Sequence, residues 1–206
     1  MRILITAGPT REYLDDVRYL SNASSGLMGY AIAESALARG HDVVLVSGPV
    51  SITPPAGCEV HHVETTDEMF AACESLFPNC DGVIGTAAVC DYKIKNRING
   101  KIGKTGSALT IELVETIDVL AELGKQKGHR WVVGFAFESQ DAHFNAVGKL
   151  YRKNCDAIVL NRPTAIGSDQ NEIELIDQSE NVALHISGSK LDVAQQLIAW
   201  IDTHLG

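Results

Sequence analysis

The sequence predicts an α/β fold: a Rossmann-like, mainly parallel sheet with helices on both faces and an antiparallel hairpin near the C-terminus. Two observations lead to this prediction. Short apolar runs rich in β-branched residues alternate with stretches of helical periodicity through most of the chain. A helix between successive strands is the connection that parallel pairing requires. Near the C-terminus, two strand-like runs instead flank the short polar turn QSEN, as in a hairpin.

The first half of the chain supplies the first predicted strands and helices. One helix is expected over residues 28–39, because Gly40 suits the position that follows a helix C-terminus. Another is expected over 65–77, with Thr65 or Thr66 as N-cap and acidic residues in the first turn. Apolar runs bounded by turn residues place strands over residues 2–7, 42–48, 58–64 and 82–89.

The second half of the chain continues the alternation. Strands are predicted over residues 108–114, 131–137 and 156–161. Helices are predicted over about 117–126, 141–153 and 190–205. The two runs of the hairpin are predicted over 172–177 and 182–187. Because the chain shows no internal repeat and no low-complexity linker, we expect residues 1–206 to form a single domain.

Composition excludes several classes of protein. A net charge of −9 argues against a general binder of nucleic acid or of anionic membranes, which needs a basic surface. No apolar run approaches the roughly 20 residues of a membrane span. The N-terminus lacks the basic and apolar regions of a signal peptide. The five cysteines are scattered without a CxxC pair, which fits a reducing compartment. We therefore expect a soluble cytoplasmic protein.

A long polar loop separates the first strand from the first helix, where a dinucleotide-binding fold has a tight glycine turn. The GxGxxG fingerprint is missing, because no comparable glycine lies between Gly8 and the pair Gly26 and Gly29. The second strand ends in VSGPV, without an acidic residue for a ribose hydroxyl. A nicotinamide-dependent reductase is therefore an alternative function and not the preferred one.

The start of the first helix carries Asn22, Ser24, Ser25 and Gly26. Backbone N–H groups at a helix N-terminus, with hydroxyl groups beside them, bind phosphate and other anions. The simpler alternative is that one serine caps the helix and that Asn22 is only a turn residue. The length of the polar approach, at the carboxyl end of the first strand, favours a ligand site.

Residues 92–111 form a basic segment in an otherwise acidic protein. The run YKIKNRINGKIGKTGSALTI carries +5 and no acidic residue, so the rest of the chain carries −14. We expect a flexible lid over about 93–106 that closes on a polyanionic ligand; a solvated loop is the alternative. The flexibility is expected from Gly100, Gly103 and Gly106. A second basic group ends a predicted helix, where it either complements the helix dipole or contacts a ligand: Lys149, Arg152 and Lys153.

Seven segments occur in a characteristic order: TAGPTRE (6–12), VRYLSNASSGLMG (17–29), LVSGPV (45–50), AAVCDY (87–92), KIGK (101–104), VGFAFE (133–138) and RKNCDAIVLN (152–161). As an ordered set they closely resemble the phosphopantothenoylcysteine synthetases, the phosphopantothenate–cysteine ligases of coenzyme A biosynthesis. The resemblance covers essentially the whole chain. It gives the basic segment a purpose, since two of the substrates are polyanions.

The resemblance implies a reaction in two steps. The carboxylate of 4′-phosphopantothenate attacks the α-phosphate of a nucleoside triphosphate, which releases pyrophosphate and leaves an acyl-nucleotidyl anhydride. The amine of L-cysteine then attacks the acyl group and releases the nucleoside monophosphate. The TAGPT and SGPV segments look like the bacterial branch, which implies CTP, with ATP as the alternative; Mg²⁺ is expected with the triphosphate. A homodimer is also implied, whereas flavin belongs to a decarboxylase that is fused to this domain in many bacteria and is not expected here.

Residue roles are carried over position by position. Asn22 matches an asparagine linked to the acyl-nucleotidyl intermediate, where its amide would donate to the developing oxyanion. Lys101 matches a lysine tied to formation of that intermediate and to nucleotide binding. The other matched nucleotide positions are Gly85, Thr86, Ala87, Asp91, Ile117, Asp118, Val119, Leu120, Phe135, Lys149 and Lys153. Apart from these matches, the start of the first helix and the basic segment predict contacts of a phosphate or substrate group with Ser24, Ser25, Gly26 and Lys104.

Two positions depart from the family pattern. Gly103 stands at the third motif position, where a lysine is usual, so one phosphate contact is either missing or supplied by Lys104 or Arg97. Ile117 stands where a proline is usual, although Asp118 is retained. Besides the reductase, a nucleotide-binding module without catalytic activity remains an alternative. Release of pyrophosphate distinguishes it from the ligase.

Overall fold

The computed structural model describes residues 1–138, 140–161 and 170–206. The helices are α1 (Leu27–Ala38), α2 (Thr66–Leu76), α3 (Val119–Lys125), α4 (Ala142–Arg152) and α5 (Lys190–His204), with a 3₁₀ turn at Phe77–Asn79. The strands are β1 (Arg2–Ala7), β2 (Arg11–Tyr13), β3 (Tyr19–Ser21), β4 (Asp42–Ser47), β5 (Glu59–His62), β6 (Gly82–Gly85), β7 (Tyr92–Ile94), β8 (Leu113–Glu115), β9 (Trp131–Phe137), β10 (Ala157–Asn161), β11 (Gln170–Asp177) and β12 (Val182–Ser189).

The main sheet has the order β12-β11-β10-β9-β6-β1-β4-β5. All pairs from β5 to β10 are parallel, and β11 and β12 add the antiparallel hairpin. From β1 the chain first builds β4 and β5 on one side and then returns to place β6 on the other. The point of reversal opens a crevice at the carboxyl ends of β1 and β6, where open α/β sheets bind ligands. The predicted fold class is confirmed.

Helices cover both faces of the sheet because the buried strands carry apolar side chains on both sides. In β1, Ile3 and Ile5 belong to the core under α1 and α5, whereas Leu4 points into the core under α2, α3 and α4. All three are fully buried. Packing of the sheet between these two helix layers fixes the strand ends, at which a cleft opens.

The structure corrects the prediction of a strand over residues 108–114. Only Leu113–Glu115 forms a strand, and it pairs with β7 in a separate two-stranded ladder. Residues 103–110 are exposed, so their apolar side chains have no core face on which a strand could pack. The short ladder of β2 and β3 was not predicted either.

Gly48 is expected to tolerate no side chain. A Cβ atom there would lie 1.8 Å from the Pro9 carbonyl oxygen, which is backbone and cannot move aside. We expect Gly48→Ala to lower the free energy of unfolding by about 2 kcal/mol in urea titrations, as overpacking does. Gly148→Ala is the control, because among the described residues no atom beyond the chain neighbours and the backbone of its own helix lies within 4 Å of the Cβ position of the exposed Gly148. This change should raise stability by up to about 1 kcal/mol. Equal effects of the two substitutions would contradict the packing argument.

Candidate active site

A cleft of about 1200 Å³ opens at the carboxyl ends of β1, β6 and β9. Its walls are the start of α1, the loop after β6 and the start of α3. Every residue predicted to bind nucleotide or substrate lines this cleft, apart from Lys101 and Lys104. The fold therefore collects side chains from five separate segments of the chain around one space. Their individual roles stay predictions.

The start of α1 forms one wall, and Gly26 is its N-cap residue. Gly26 has a φ of 76° in the left-handed region and makes no side-chain cap, so the alternative of a serine N-cap is wrong. Ser24 Oγ instead accepts the Gly26 N–H at 3.3 Å. The helix packs close to the sheet because Gly29 has no Cβ, which would lie 2.5 Å from Thr86 Oγ1. Backbone and hydroxyl groups thus line the same wall of the cleft.

Asn22 ties this wall to the loop after β6. Its Nδ2 donates to the carbonyl oxygens of Ala88 at 3.1 Å and Val89 at 2.9 Å. Two carbonyl partners require the amino group and not the oxygen of the amide. Both donors are therefore engaged in this structure. Donation to an acyl oxygen, the role carried over for Asn22, would replace one of these hydrogen bonds.

The loop after β6 is held from several sides. Thr86 Oγ1 donates to the Thr6 carbonyl at 2.6 Å, and the Cys90 N–H donates to Thr10 Oγ1 at 2.9 Å. Burial raises the pKa of the Cys90 thiol. Cys90 is thus a protonated packing residue and not an activated nucleophile, since the thiolate is the reactive form.

The start of α3 forms the opposite wall, which is partly apolar. Leu120 packs towards β6, where a Cβ on Gly85 would lie 2.8 Å from Leu120 Cδ1. Ile117 and Phe135 line the same part of the cleft. Asp118 caps α3 by accepting the Ala121 N–H at 3.1 Å, so the helix begins without the usual proline.

Lys149 of α4 and Lys153, the C-cap residue of this helix, bring positive charge to the cleft, and each is paired with a carboxylate. Lys149 Nζ lies 2.5 Å from Glu138, and Lys153 Nζ lies 2.9 Å from Asp118. An anionic ligand would compete with these carboxylates for the two ammonium groups. Arg152, the third cation of this group, does not line the cleft.

Substitutions of Asp118 can distinguish the stabilising effect of the helix cap from that of the ion pair with Lys153. Asp118→Ala removes both, and we expect the free energy of unfolding to fall by about 1 kcal/mol through loss of the cap. Asp118→Asn is the matched control, because asparagine caps equally well but lacks the charge. Chemical denaturation of the two variants measures the difference. A loss of stability as large in Asp118→Asn would contradict the cap assignment.

Lys101 and Lys104, the two lid residues with a predicted role in the site, are not brought into the cleft. Both are exposed. The other lid cations pair with acids elsewhere in the chain: Lys93 with Asp67, Lys95 with Glu112 and Arg97 with Asp16. The lid is therefore less isolated than its composition indicates. Sequence reasoning missed its acidic partners in the loop between β2 and β3, for which the adjacent Asp15 and Asp16 were a visible signal.

The fold and cleft define a Rossmann-like α/β domain with a cleft at the reversal point of its sheet, the place where sheets of this class bind ligands. Residues 1–205 match the family model described as the DNA/pantothenate metabolism flavoprotein C-terminal domain, and the chain belongs to this family. Within the described ranges, no helix is long and apolar enough to cross a membrane.

Individual relatives agree with the family match. The chain is 41% identical to the coenzyme A biosynthesis bifunctional protein CoaBC of Bacillus subtilis over 95% of its own length and 50% of the relative. A protein of an unknown prokaryote, named cysteine/cysteine sulfinic acid decarboxylase, is 42% identical over 98% of the chain and 58% of that relative. The chain thus spans about half the length of these curated relatives. A crystal structure of the C-terminal domain of CoaBC has a TM-score of 0.84 at 37% identity, covering 99% of this chain and 96% of that one.

Proposed function

We propose that this domain joins 4′-phosphopantothenate to L-cysteine through an acyl-nucleotidyl intermediate, as a step of coenzyme A biosynthesis. The observation that carries the proposal is the match, over nearly both whole chains, to the C-terminal domain of a protein named for coenzyme A biosynthesis. The cleft supports it, because predicted site residues from distant segments line one space. Of the predicted site residues, only Lys101 and Lys104 lie outside this cleft.

The cleft offers distinct surroundings for the parts of a nucleotide. The apolar wall at Ile117, Leu120 and Phe135 suits the flat face of a base. The triphosphate would draw Lys149 and Lys153 from their carboxylates and take their charge-assisted hydrogen bonds. The N–H groups at the start of α1 suit a further anionic group, such as the reacting carboxylate or the 4′-phosphate.

CTP is the proposed nucleotide, with ATP as the alternative, and Mg²⁺ is proposed to arrive with it. Within the described residues there is no group of three or more His, Cys, Asp or Glu side chains that could hold a metal ion. This fits Mg²⁺, which is commonly bound by substrate phosphates, water and one or two carboxylates. The ion would neutralise phosphate charge during attack on the α-phosphate.

A homodimer and a cytoplasmic location complete the proposal. The loops and short ladders formed by β2, β3, β7 and β8 carry large exposed apolar side chains, which a second copy would cover. They are Val17, Tyr19, Tyr92, Ile98 and Leu113.

The proposal is tested with purified protein, 4′-phosphopantothenate, Mg²⁺ and either CTP or ATP. We expect pyrophosphate release with CTP, followed by the amide product when L-cysteine is added. Binding of nucleotide without pyrophosphate would favour a binding module. Oxidation of NADPH by a carbonyl substrate would favour the reductase. Because one relative is named a decarboxylase, carbon dioxide is measured in the same assay; its release from cysteine without amide formation would overturn the proposal.

A further inference from the structure

We infer that Asp15 is a positioning residue, which holds the segment that carries Lys101 and acts on the reaction without touching substrate. The inference deepens the proposed function and rests on it. Asp15 lies in the loop between β2 and β3, far along the chain from the lid. Nothing in the family resemblance assigned it a role.

The Asp15 carboxylate is fully buried, with 0% of its side chain exposed, and both of its oxygens accept hydrogen bonds. Oδ1 accepts the backbone N–H groups of Val17 at 2.8 Å and Arg18 at 2.6 Å, which closes the local turn. Oδ2 accepts the Arg18 guanidinium at 2.6 Å and the Ile102 N–H at 2.9 Å. One oxygen therefore shapes its own loop, and the other binds the residue that follows Lys101.

Neighbouring contacts extend this attachment along the lid. Asp16 Oδ2 accepts the Gly100 N–H at 2.9 Å, and the Asp16 N–H donates to the Gly100 carbonyl at 3.3 Å. The Arg18 guanidinium donates to the Ile102 carbonyl at 3.1 Å. Hydrogen bonds thus hold the backbone immediately before and immediately after Lys101, while Lys101 itself stays exposed.

The attachment ends just beyond Lys101. From Gly103 to Ile111, within the described residues, the hydrogen bonding consists of one local contact, from the Ser107 N–H to Thr105 Oγ1 at 3.4 Å. Without hydrogen-bond partners, nothing compensates the loss of conformational entropy that ordering this segment would cost. The lid therefore divides into an anchored part up to Ile102 and a part from Gly103 that is free to close over a ligand. Lys101 sits at the boundary.

The attachment is charged at neutral pH. Chiefly through the hydrogen bond from the Ile102 N–H, the pKa of Asp15 is lowered to about 2, against the opposing effect of burial. The remaining hydrogen bonds, from Val17 and Arg18, act in the same direction as Ile102. Hydrogen bonds to an ionised acceptor are the stronger kind, which suits a contact that must fix a flexible glycine-rich segment.

Asp15→Asn breaks the link selectively. The asparagine oxygen can still accept hydrogen bonds from the two N–H groups of the local turn. Its amino group would then stand opposite the Ile102 N–H and the Arg18 guanidinium, and because all three are donors, no hydrogen bond can form. We expect amide hydrogen exchange across 98–102 to become about tenfold faster or more. We also expect the rate of pyrophosphate release to fall by about tenfold, with little change in the KM for nucleotide.

Three further proteins sharpen the test. Asp16→Ala removes an exposed partner of the same segment and should change both readouts in the same direction, so the test survives if Asp15→Asn folds poorly. Glu112→Gln, the control, removes the ion pair to Lys95 in the same lid and should change neither. When Lys101→Gln is already present, adding Asp15→Asn should lower the rate of pyrophosphate release little further, because Asp15 acts through Lys101.

Unchanged exchange across 98–102 in both Asp variants would overturn the attachment. An equal loss of pyrophosphate release from Asp15→Asn with and without Lys101 would overturn the positioning role. Failure of the proposed function looks different. The wild-type protein would then release no pyrophosphate with either nucleotide, while the exchange measurement would still decide whether Asp15 holds the lid.

Discussion

Asn22→Asp is expected to lower the rate of amide product formation by on the order of 10² to 10³. Two physical effects act together. The carboxylate would repel the oxyanion that develops on the acyl group. It would also place negative charge against the carbonyl oxygens of Ala88 and Val89, which the Asn22 amide now binds. Nucleotide binding should be largely retained, because the walls at α3 and α4 are unchanged.

Asn22→Ala is the matched control for charge. It removes the same two donors but adds no anion, so we expect a smaller loss of rate than in Asn22→Asp. Rates of product formation and dissociation constants for CTP, measured on both variants, separate chemistry from binding. Product formed at the wild-type rate by Asn22→Asp would contradict the assignment.

Lys101→Gln is expected to suppress pyrophosphate release itself, by on the order of 10². Glutamine keeps a polar side chain but not the cation that would offset charge on the reacting phosphate. Because Lys101 is exposed and outside the cleft, and its backbone is held at Gly100 and Ile102, this prediction requires its side chain to turn towards the bound phosphate as the part of the lid from Gly103 closes, before the phosphate is attacked. Rapid-quench measurement of pyrophosphate without cysteine isolates the step.

Lys125→Gln is the control for loss of a lysine, because Lys125 is exposed and pairs with Glu122 away from the cleft. It should release pyrophosphate at the wild-type rate. If Lys101→Gln accumulated acyl-nucleotide and failed only after cysteine was added, the order of roles proposed for Asn22 and Lys101 would be wrong.

Much of the fold follows from local pattern. The strands at 2–7 and 131–137 have the bounds that their apolar runs predict, because both are buried in the middle of the sheet. The capping box of Thr65 and Glu68 fixes the start of α2 as the polar residues indicate. Where burial and capping agree, sequence alone places an element to within a residue or two.

The short ladders could not be predicted in the same way. β2, β3, β7 and β8 are three residues each, which is too short for an alternating apolar pattern to be recognised in the sequence. The 108–114 run has strand-like composition, yet only its end finds a partner strand. β-propensity describes how well a residue fits a sheet that is already there, and no sheet reaches residues 103–110.

The cleft was predicted unevenly for the same reason. Residues at strand ends and helix starts, such as Gly85 and Asp118, are placed by the sheet, so matching them by segment also places them in space. The position of Lys101 instead depends on the buried carboxylate of Asp15, 87 positions from its partner Ile102. Charge counting identified the lid as basic but could not show which acids hold it.

Transfer of an isotope from substrate to nucleotide tests the acyl-nucleotidyl route most directly. The protein is given CTP, L-cysteine and 4′-phosphopantothenate labelled with ¹⁸O in its carboxylate, and each product is weighed by mass spectrometry. Attack of the carboxylate on the α-phosphate makes the new P–O bond. Attack of the cysteine amine then breaks the C–O bond of the anhydride and leaves that oxygen on phosphorus. We predict one ¹⁸O atom in CMP and none in pyrophosphate. Label in pyrophosphate or inorganic phosphate, with unlabelled nucleotide, would contradict the proposed reaction.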